Sequence, residues 1–493
     1  MFANMLLGLE NATSITNLFY CFVGVSVGTF IGVLPGIGPL AAVSVLMPLT
    51  FYMEPMAALV MIAGIYYGAE YGGSTASILL NLPGTAANAV TCLDGYPMAL
   101  QGRAAVALFV TTIASFAGGV GGILVLTLFT PAIAEIALSL KATEYVAIMV
   151  LGLISAGVVT QGSPLKGLVM IVLGLLLSTV GIDLQTGASR YTFGTFVLYD
   201  GISVVIIAMG LFGIAEMIGA IRGKSPSLAT QAVSMRSMLP RRDEVKLLGG
   251  PALRGGIIGT FVGALPGAGV TLAAFMAYAF EKKISKDPNK FGKGAIEGIT
   301  APESANNAAA QTAFIPTLSL GIPGSPTMAL LLGAMMIHGI TPGPLFISEK
   351  PEIFWGLIAS FWIGNILLLI LNIPLIGIWV WVLRVPYQAL YLFIFPLICV
   401  GVFSLRNEVF DVVTVLVVGV FGYFLRQFKF EPAPLMISFV LGPMLEENFR
   451  RAVLIGRGEI SYFFNSTLSS TLLILTLLIA LWAIFAPALK RHM

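Results

Sequence analysis

Residues 28–38 read GTFIGVLPGIG, an apolar stretch interrupted by a Pro-Gly pair. A second stretch, residues 259–269, reads GTFVGALPGAG and matches the first at eight of eleven positions. Proline removes a backbone N–H donor and blocks helix propagation, while glycine allows positive φ and the close approach of another backbone. Each stretch therefore predicts an apolar helix that breaks at its Pro-Gly pair.

The composition places these broken helices in a membrane. The chain has 493 residues, of which 57% are hydrophobic and 10% are charged, whereas a soluble protein has roughly 25% charged residues. So few charges exclude an ordinary cytosolic enzyme and a disordered or fibrous chain. Apolar runs such as residues 472–485 are continuous rather than alternating, which favours spanning helices over a β-barrel. The sequence predicts an all-α polytopic membrane protein with about ten to thirteen crossings.

A second pair of related stretches indicates an internal repeat. Residues 80–90 read LNLPGTAANAV and residues 320–330 read LGIPGSPTMAL, so each half carries its two motifs in the same order. Residues 1–102 contain no Lys or Arg, whereas basic residues flank the stretch at 259–269 on both sides. By the positive-inside rule, both ends of that stretch are cytoplasmic. We therefore predict two inverted repeats with re-entrant hairpins and broken helices, the first hairpin entering from the opposite face.

A polar loop separates the two halves. Residues 222–254 carry seven Lys or Arg against two acidic residues, which is typical of a cytoplasmic segment. We predict an N-terminal membrane repeat at 1–221, a cytoplasmic basic linker at 222–254, and a C-terminal membrane repeat with extra C-terminal helices at 255–493. A solvated linker with no function of its own is the simpler interpretation of this loop.

The four helix breaks are candidates for a substrate site. Broken backbone within a membrane is tolerated only where protein buries it or where it lines a cavity. Half-helix ends offer free N–H groups to anions and free carbonyls to cations. The candidate substrate-binding residues are Pro35, Gly36, Gly38, Ser74, Thr75, Asn81, Pro83, Gly84, Thr85, Pro266, Gly267, Gly269, Asn306, Asn307, Pro323, Gly324 and Ser325. Close packing of helices through small residues is the alternative explanation.

Two acids beside the breaks are candidates for a coupling-ion site, because ionisable residues at membrane depth usually have a function. Glu70 and Glu303 take similar places in the two halves, 233 positions apart, although either acid could instead lie at the interface or pair locally. With nearby polar residues, the candidates are Glu70, Glu303, Ser77, Asn88, Thr312 and Ser319. Asp94, Asp183 and Asp411 are expected at the interface, as are the aromatic residues Tyr66, Tyr67 and Trp355. His338 is either a proton relay or a packed histidine.

Several classes of function are not supported by the sequence. Two histidines and three widely spaced cysteines give no zinc site, HExxH protease motif or disulfide framework. The net charge of +3 gives no case for nucleic-acid binding. The nearest approach to a nucleotide loop, Gly219 to Ser225, is one residue short of Walker A spacing. We therefore expect no enzyme activity, no cofactor and no resident metal.

Four long motifs carry a resemblance to a known family. They are GTFIGVLPGIGP (28–39), YGAEYGGSTASILLNLPGTAANAVTCLDGYPMALQGRA (67–104), GTFVGALPGAG (259–269) and APESANNAAAQTAFIPTLSLGIPGSPTMALLLGAMMIHGITPGPLF (301–346). From about residue 15 to residue 440 the chain resembles the large membrane subunit of the tripartite tricarboxylate transporter family, TctA type.

The resemblance implies a multi-pass protein of the bacterial inner membrane. It implies import of a di- or tricarboxylate such as citrate by a symporter driven by a Na⁺ or H⁺ gradient, without ATP. The implied partners are a periplasmic solute-binding protein and a small membrane subunit of about four helices, and the implied mechanism is an elevator motion. A carboxylate or anion channel, or a stand-alone ion-coupled carrier without a binding protein, remains the alternative.

The motifs also indicate how a carboxylate would be held. None of the four short stretches around the Pro-Gly pairs (28–38, 80–90, 259–269 and 320–330) contains an arginine. Backbone N–H groups and hydroxyls are therefore expected to bind the carboxylate in place of bidentate guanidinium pairs. Such a site binds weakly and depends on capture by a partner.

Overall fold

The computed structural model describes residues 2–34, 38–158, 163–183, 185–220, 235–266, 269–382 and 387–489. These residues are mostly helical, and the strands among them are a two-stranded antiparallel hairpin, β1 (Gly181–Ile182) with β2 (Ser189–Arg190). Among the described helices, four are long and apolar enough to cross a membrane: Ile15–Val33, Ala104–Leu138, Pro351–Asn372 and Val409–Gln427. The predicted all-α class is confirmed.

The helices of the first half are α1 (Phe2–Ala12), α2 (Ile15–Val33), α3 (Pro39–Leu46), α4 (Pro55–Leu80), α5 (Thr91–Leu100), α6 (Ala104–Leu138), α7 (Ala142–Val158), α8 (Pro164–Ser178), α9 (Val204–Ala208) and α10 (Ala215–Ala220). A π-helical stretch, Met209–Ile214, joins α9 to α10. Short 3₁₀ turns lie at Met47–Tyr52, Ala87–Ala89 and Phe196–Leu198.

The helices of the second half are α11 (Arg242–Val245), α12 (Gly249–Gly263), α13 (Gly269–Ile284), α14 (Glu297–Thr312), α15 (Phe314–Leu320), α16 (Pro326–Ile337), α17 (Phe346–Glu349), α18 (Pro351–Asn372), α19 (Ile376–Val382), α20 (Tyr387–Arg406), α21 (Val409–Gln427), α22 (Ala433–Ile455) and α23 (Thr467–Leu489). Further 3₁₀ turns lie at Met235–Met238, Pro288–Lys290 and Ile460–Phe464.

Glycines of the first motif bring α2 against the backbone of α4. A Cβ atom at Gly28 would lie 2.4 Å from the carbonyl oxygen of Ile65, and one at Gly32 would lie 2.2 Å from that of Ala69. A side chain at either position would therefore push the helices apart. Because the residue numbers rise together along both helices, α2 and α4 run parallel.

The second motif packs in the same way on α14. A Cβ atom at Gly259 would lie 2.2 Å from the carbonyl oxygen of Ala305. One at Gly263 would lie 2.5 Å from the carbonyl oxygen of Ala309. Helices α12 and α14 therefore also run parallel, with the same spacing of small residues at their contact.

The two helix pairs run in opposite directions. The rings of Tyr66 and Phe314 lie 6.2 Å apart, and four residues further along α4 the carboxylate of Glu70 lies beside the carboxamide of Asn306. Residue numbers rise along α4 while they fall along its partner, so α4 is antiparallel to α14 and α15.

The three aromatic residues expected at the membrane interface are buried within the protein, and their depth in the membrane stays a prediction. Tyr66, Tyr67 and Trp355 are at most 3% exposed. Tyr67 packs edge-on against Phe361 with ring centroids 5.8 Å apart. Its position on α4 faces α18, so the ring contributes to the contact between these two helices.

Asp94, expected at the interface, is completely buried within the protein, and its depth in the membrane stays a prediction. One of its carboxylate oxygens accepts hydrogen bonds from the backbone N–H groups of Gly292, Gly294 and Ala295, each at 2.8 Å. The other carboxylate oxygen accepts a hydrogen bond from the Tyr278 hydroxyl at 3.0 Å. Asp94 therefore anchors α5 to the segment that precedes α14, because four donors offset the cost of burying its charge.

The other two aspartates expected at the interface, Asp183 and Asp411, form ion pairs with arginines. Arg450 donates to both carboxylate oxygens of Asp183, at 3.2 and 2.8 Å, and these hydrogen bonds hold the pKa of Asp183 below its ordinary value. Arg406 donates to both oxygens of Asp411 at 2.8 Å. Their placement at a membrane interface stays a prediction.

Helix α22 joins an apolar first half to a charged second half. Four charged residues in its second half interrupt the apolar run, namely Glu446, Glu447, Arg450 and Arg451. These charges pair with one another in two i,i+4 contacts, so the helix continues despite them. It packs against α7 and α8 of the first half.

The three-part division of the chain stays a prediction. Residues 221–234 of the linker region lie outside the described residues. The described remainder of the linker contains α11 and the beginning of α12. Helices of the first half contact helices of the second half, for example α8 with α22, α7 with α23 and α1 with α18.

Candidate functional site

A cavity of about 920 Å³ lies where the broken helices converge. Gly38 and Gly269, which follow the first Pro-Gly pair of each half, both line it. Thr85 and Ser325, which follow the second pair of each half, line it as well. Residues from all four motifs therefore meet at one place, although they are spread over some 290 positions of the chain.

Three helices begin at this cavity. The first residues of α3, α13 and α16 all line its wall, and α3 and α16 have proline in the first turn, a position that suits proline. The first N–H groups of a helix have no intrahelical acceptor, and the helix dipole adds a partial positive charge there. Three such ends around one cavity favour an anion inside it.

Two cationic side chains, Arg426 and Lys429, complete the wall. Arg426 lies in the last turn of α21 and forms an ion pair with Glu216, while its Nε atom is buried without a hydrogen-bond partner. Lys429 follows two residues after α21, in a left-handed conformation with φ of 59°, and is exposed. Sequence reasoning missed both residues because they lie outside the motifs, at the end of an apolar helix.

Acidic residues also line this cavity, and they differ in their surroundings. Glu216 is paired with Arg426, and Glu431 lies near the cationic end of the wall. Glu70 is 1% exposed and accepts the Thr85 hydroxyl at 2.9 Å. An anion that enters the cavity therefore meets the Glu70 carboxyl group at the same site.

The second acid, Glu303, lies behind the cavity wall. It is also 1% exposed. It accepts hydrogen bonds from the Asn88 side-chain amide at 3.0 Å, the Thr91 hydroxyl at 2.5 Å and the Ser115 hydroxyl at 3.2 Å. None of the ion pairs formed by the described residues includes Glu70 or Glu303.

The sequence matches the model of the tripartite tricarboxylate transporter TctA family over residues 18–437. The chain belongs to this family. It is 49% identical, over 96% of its length and 94% of the relative, to an uncharacterized 52.8 kDa protein in the TAR-I ttuC' 3' region of Agrobacterium vitis. It is 52% identical, over 47% of its length and 96% of the relative, to an uncharacterized protein in the TAR-II ttuC' 3' region of the same organism. No solved structure matches it.

Family membership and the apolar helices together identify a multi-pass membrane protein and a component of a tripartite transport system. The expected family is thereby confirmed.

Five of the residues expected at the site of this TctA family member line the cavity: Gly38, Glu70, Thr85, Gly269 and Ser325. Asn81 and Gly84 instead contribute to the backbone turn that follows α4. Asn81 ends α4 in a left-handed conformation with φ of 56° and is exposed. A Cβ atom at Gly84 would lie 2.1 Å from the carbonyl oxygen of Gly32, so this glycine permits close packing of the chain after α4.

The remaining candidates lie beside the cavity rather than in its wall. Ser74, Thr75, Pro323 and Gly324 are buried, Pro83 and Pro266 are half-buried, and Pro35, Gly36 and Gly267 lie outside the described residues. Asn306 and Asn307 are 1% exposed and Gln311 is 2% exposed. The Asn307 side-chain nitrogen donates to the backbone carbonyl of Glu303 at 3.0 Å, whereas the side-chain oxygens of all three residues lack a hydrogen-bond donor among the described residues.

The expected coupling-ion residues divide into two groups. Ser77 and Asn88 are next to the acids, since the Ser77 hydroxyl contacts the Asn88 carbonyl oxygen at 3.0 Å and Asn88 contacts Glu303. The hydroxyls of Thr312 and Ser319 instead donate to backbone carbonyls of their own helices, at 3.1 and 2.6 Å. Thr312 also faces Gly263 of α12.

Glu70 and Glu303 do not hold corresponding positions in the two halves. Ala69 and Ala309 correspond, because Gly32 and Gly263 of the related motifs pack on them. Pro83 and Pro323 of the second motifs are separated by the same number of positions as Ala69 and Ala309. By this register the counterpart of Glu70 is Ala310, so the two acids take similar places in the two halves without occupying corresponding positions. They converge because α4 and α14 cross in opposite directions.

Proposed function

We propose that the chain is the large transmembrane subunit of a binding-protein-dependent secondary symporter that imports citrate-like di- or tricarboxylates. The observation that carries the proposal is the convergence of three helix N-termini, Arg426 and Lys429 on one cavity. Partial positive charges and charge-assisted donors in this arrangement suit a ligand with several carboxylates. Its volume, about 920 Å³, lies within the usual range for small-molecule sites.

The position of Glu70 supports coupling to a cation. An anion and an ionised Glu70 in the same cavity repel each other, since two like charges a few ångströms apart in a poorly solvated site interact strongly. Binding of a proton or of Na⁺ at Glu70 removes this repulsion. Carboxylate and cation therefore favour each other's binding, which is the thermodynamic requirement for symport.

Two inverted repeats with re-entrant hairpins, and an elevator motion, form the mechanistic part of the proposal. The antiparallel arrangement of the α2–α4 pair and the α12–α14 pair supports the inversion. Positive residues after α13 support a cytoplasmic base for the second hairpin. The proposed setting is the bacterial inner membrane, with a periplasmic solute-binding protein and a small four-helix subunit as partners.

Single cysteines at positions 54 and 283, in a background without Cys21, Cys92 and Cys399, test the inversion. Glu54 and Lys283 are both exposed and lie at the ends of the two hairpins. We expect an impermeant maleimide to label position 54 from the periplasmic side and position 283 only after the membrane is opened. Labelling of both positions from one side would contradict the inversion.

Uptake of labelled citrate into proteoliposomes tests the function itself. The chain is reconstituted with its small subunit, and the binding protein, an inward Na⁺ gradient and an inward H⁺ gradient are added separately. We expect saturable accumulation that needs the binding protein and one of the gradients. Passive equilibration without saturation would instead indicate a channel, and accumulation without the binding protein would indicate a stand-alone carrier.

A further inference from the structure

The two buried acids are joined by a continuous chain of side-chain contacts. The Thr85 hydroxyl oxygen lies 2.9 Å from a carboxylate oxygen of Glu70 and 2.7 Å from the side-chain oxygen of Asn88. The Asn88 side-chain nitrogen lies 3.0 Å from a carboxylate oxygen of Glu303. All four residues are at most 5% exposed, so these groups depend on one another for hydrogen bonds.

If both acids are ionised, the side chains in this series of contacts carry too few hydrogens for every contact to be a hydrogen bond. The Thr85 hydroxyl has one hydrogen, and it faces two acceptors, Glu70 and the Asn88 oxygen. If the hydroxyl donates to Asn88, the contact with Glu70 needs a hydrogen on the Glu70 carboxyl. If it donates to Glu70, two oxygen atoms face each other 2.7 Å apart without a hydrogen between them, which is repulsive.

Turning the Asn88 carboxamide around does not remove the shortage. The amide then donates to Thr85 and the hydroxyl donates to an ionised Glu70. The amide oxygen, however, now faces Glu303 at the 3.0 Å contact, and this contact needs a hydrogen on the Glu303 carboxyl. In both orientations the chain is completed by one added proton, on Glu70 in the first and on Glu303 in the second.

We propose that Glu70 and Glu303 share one exchangeable proton through Thr85 and Asn88, and that this proton is the ion that couples carboxylate transport. The inference rests on the proposed function and specifies its coupling ion. When the proton is on Glu70, the cavity wall is neutral at that point and accepts the substrate carboxylate. When it is on Glu303, Glu70 is ionised and repels the anion.

No cationic side chain substitutes for the proton among the described groups around the two acids. The titratable side chains that face them are Tyr66 and Tyr71 of α4 and Cys92 of α5, besides the other acid itself. Helix α6 contributes the hydroxyl of Ser115. Asp94 shows the contrast, since its oxygens accept hydrogen bonds from four donors.

Infrared difference spectroscopy of the purified protein in H₂O and D₂O at neutral pH tests the shared proton. We expect the carbonyl stretch of one protonated carboxyl group in the wild type. A glutamine at either position supplies the missing hydrogen from its amide, so Glu70→Gln and Glu303→Gln should each remove the band completely. Glu281→Gln changes a buried acid paired with Arg254 and should leave the band unchanged.

Two other infrared results would contradict the shared proton, and a transport measurement provides a second test. Loss of half the band in each single variant would indicate two independently protonated acids. A wild-type protein without the band would indicate two ionised acids. In proteoliposomes, carboxylate accumulation driven by Na⁺ with no proton movement into the vesicles would overturn the inference while leaving the transport function intact. Proton uptake that follows an inward carboxylate gradient, and that Glu70→Gln abolishes, would support it.

Discussion

Replacing Arg426 by glutamine is expected to lower the rate of citrate uptake at subsaturating substrate by about 10- to 150-fold, corresponding to the roughly 1.5–3 kcal/mol of a charge-assisted hydrogen bond. The substitution removes a guanidinium group from the cavity wall. It also leaves the carboxylate of Glu216 without its ion-pair partner, and this unpaired charge repels an entering anion. Uptake is measured with the reconstituted transporter, normalised to the amount of folded protein.

Two further variants separate the contributions of Arg426. In Arg426→Gln/Glu216→Gln the repelling carboxylate is also removed, so part of the lost uptake should return. Arg451→Gln breaks an exposed i,i+4 pair with Glu447, whose side chains are 59% and 57% exposed, and should have little effect. Unchanged uptake in Arg426→Gln would show that the substrate does not contact this end of the cavity.

Replacing Gly118 by leucine is expected to abolish the folded protein. Gly118 of α6 faces α14, and even a Cβ atom there would lie 2.1 Å from the backbone oxygen of Ser304. Relief of this clash requires α6 and α14 to separate, at a cost beyond the roughly 1–3 kcal/mol of ordinary overpacking. The separation would also withdraw Ser115 from Glu303. Monodisperse protein after detergent extraction and its melting temperature measure the effect.

Gly121 provides the matched control in the same helix. A Cβ atom at Gly121 meets no other atom within 4 Å, and leucine is a better helix former than glycine by roughly 1 kcal/mol. Gly121→Leu should therefore be extracted in normal amounts with an unchanged or slightly raised melting temperature. If Gly118→Leu behaved like Gly121→Leu, the tight contact of α6 with α14 would be refuted.

Local sequence was sufficient to predict the helix breaks. The effect of a Pro-Gly pair depends on the dihedral freedom of those two residues and on the missing N–H of proline, so the pattern predicts it without tertiary information. Helix α4 ends at Leu80 and α15 at Leu320, directly before the pairs at 83 and 323. In α22, by contrast, four charged residues interrupt the apolar run, and the helix continues because they pair along its surface.

The placement of Tyr66 and Tyr67 could not be derived from a preference of residue type. Tyrosine favours an interface because it has an apolar ring and a polar hydroxyl. Both rings lie on the face of α4 that packs against Phe314 and Phe361. Which face of a helix meets a neighbour depends on the arrangement of all the helices, and this information is not local.

The acids show the same division between local pattern and tertiary structure. Their presence at membrane depth marked Glu70 and Glu303 as candidates, since charge is scarce in the chain. A count of positions put the two acids at similar places in the two halves. The register of the helix contacts shows that these places do not correspond residue by residue. Their connection through Thr85 and Asn88 depends on distances in the folded protein, and these cannot be derived from the spacing of residues in the sequence.

The sequence alone determined the membrane class, the TctA family resemblance, the broken helices and the residues at which they break, because composition and backbone restriction act over short stretches of chain. Tertiary structure alone decided that the helix ends meet at one cavity, that Arg426 and Lys429 join them from a distant helix, and that one acid lines the cavity while the other lies behind it. The places of the two acids follow from the antiparallel crossing of α4 and α14, and that of Arg426 follows from the packing of α21 against α10 and the π-helical stretch. A crossing of this kind is set by the packing of many side chains at once.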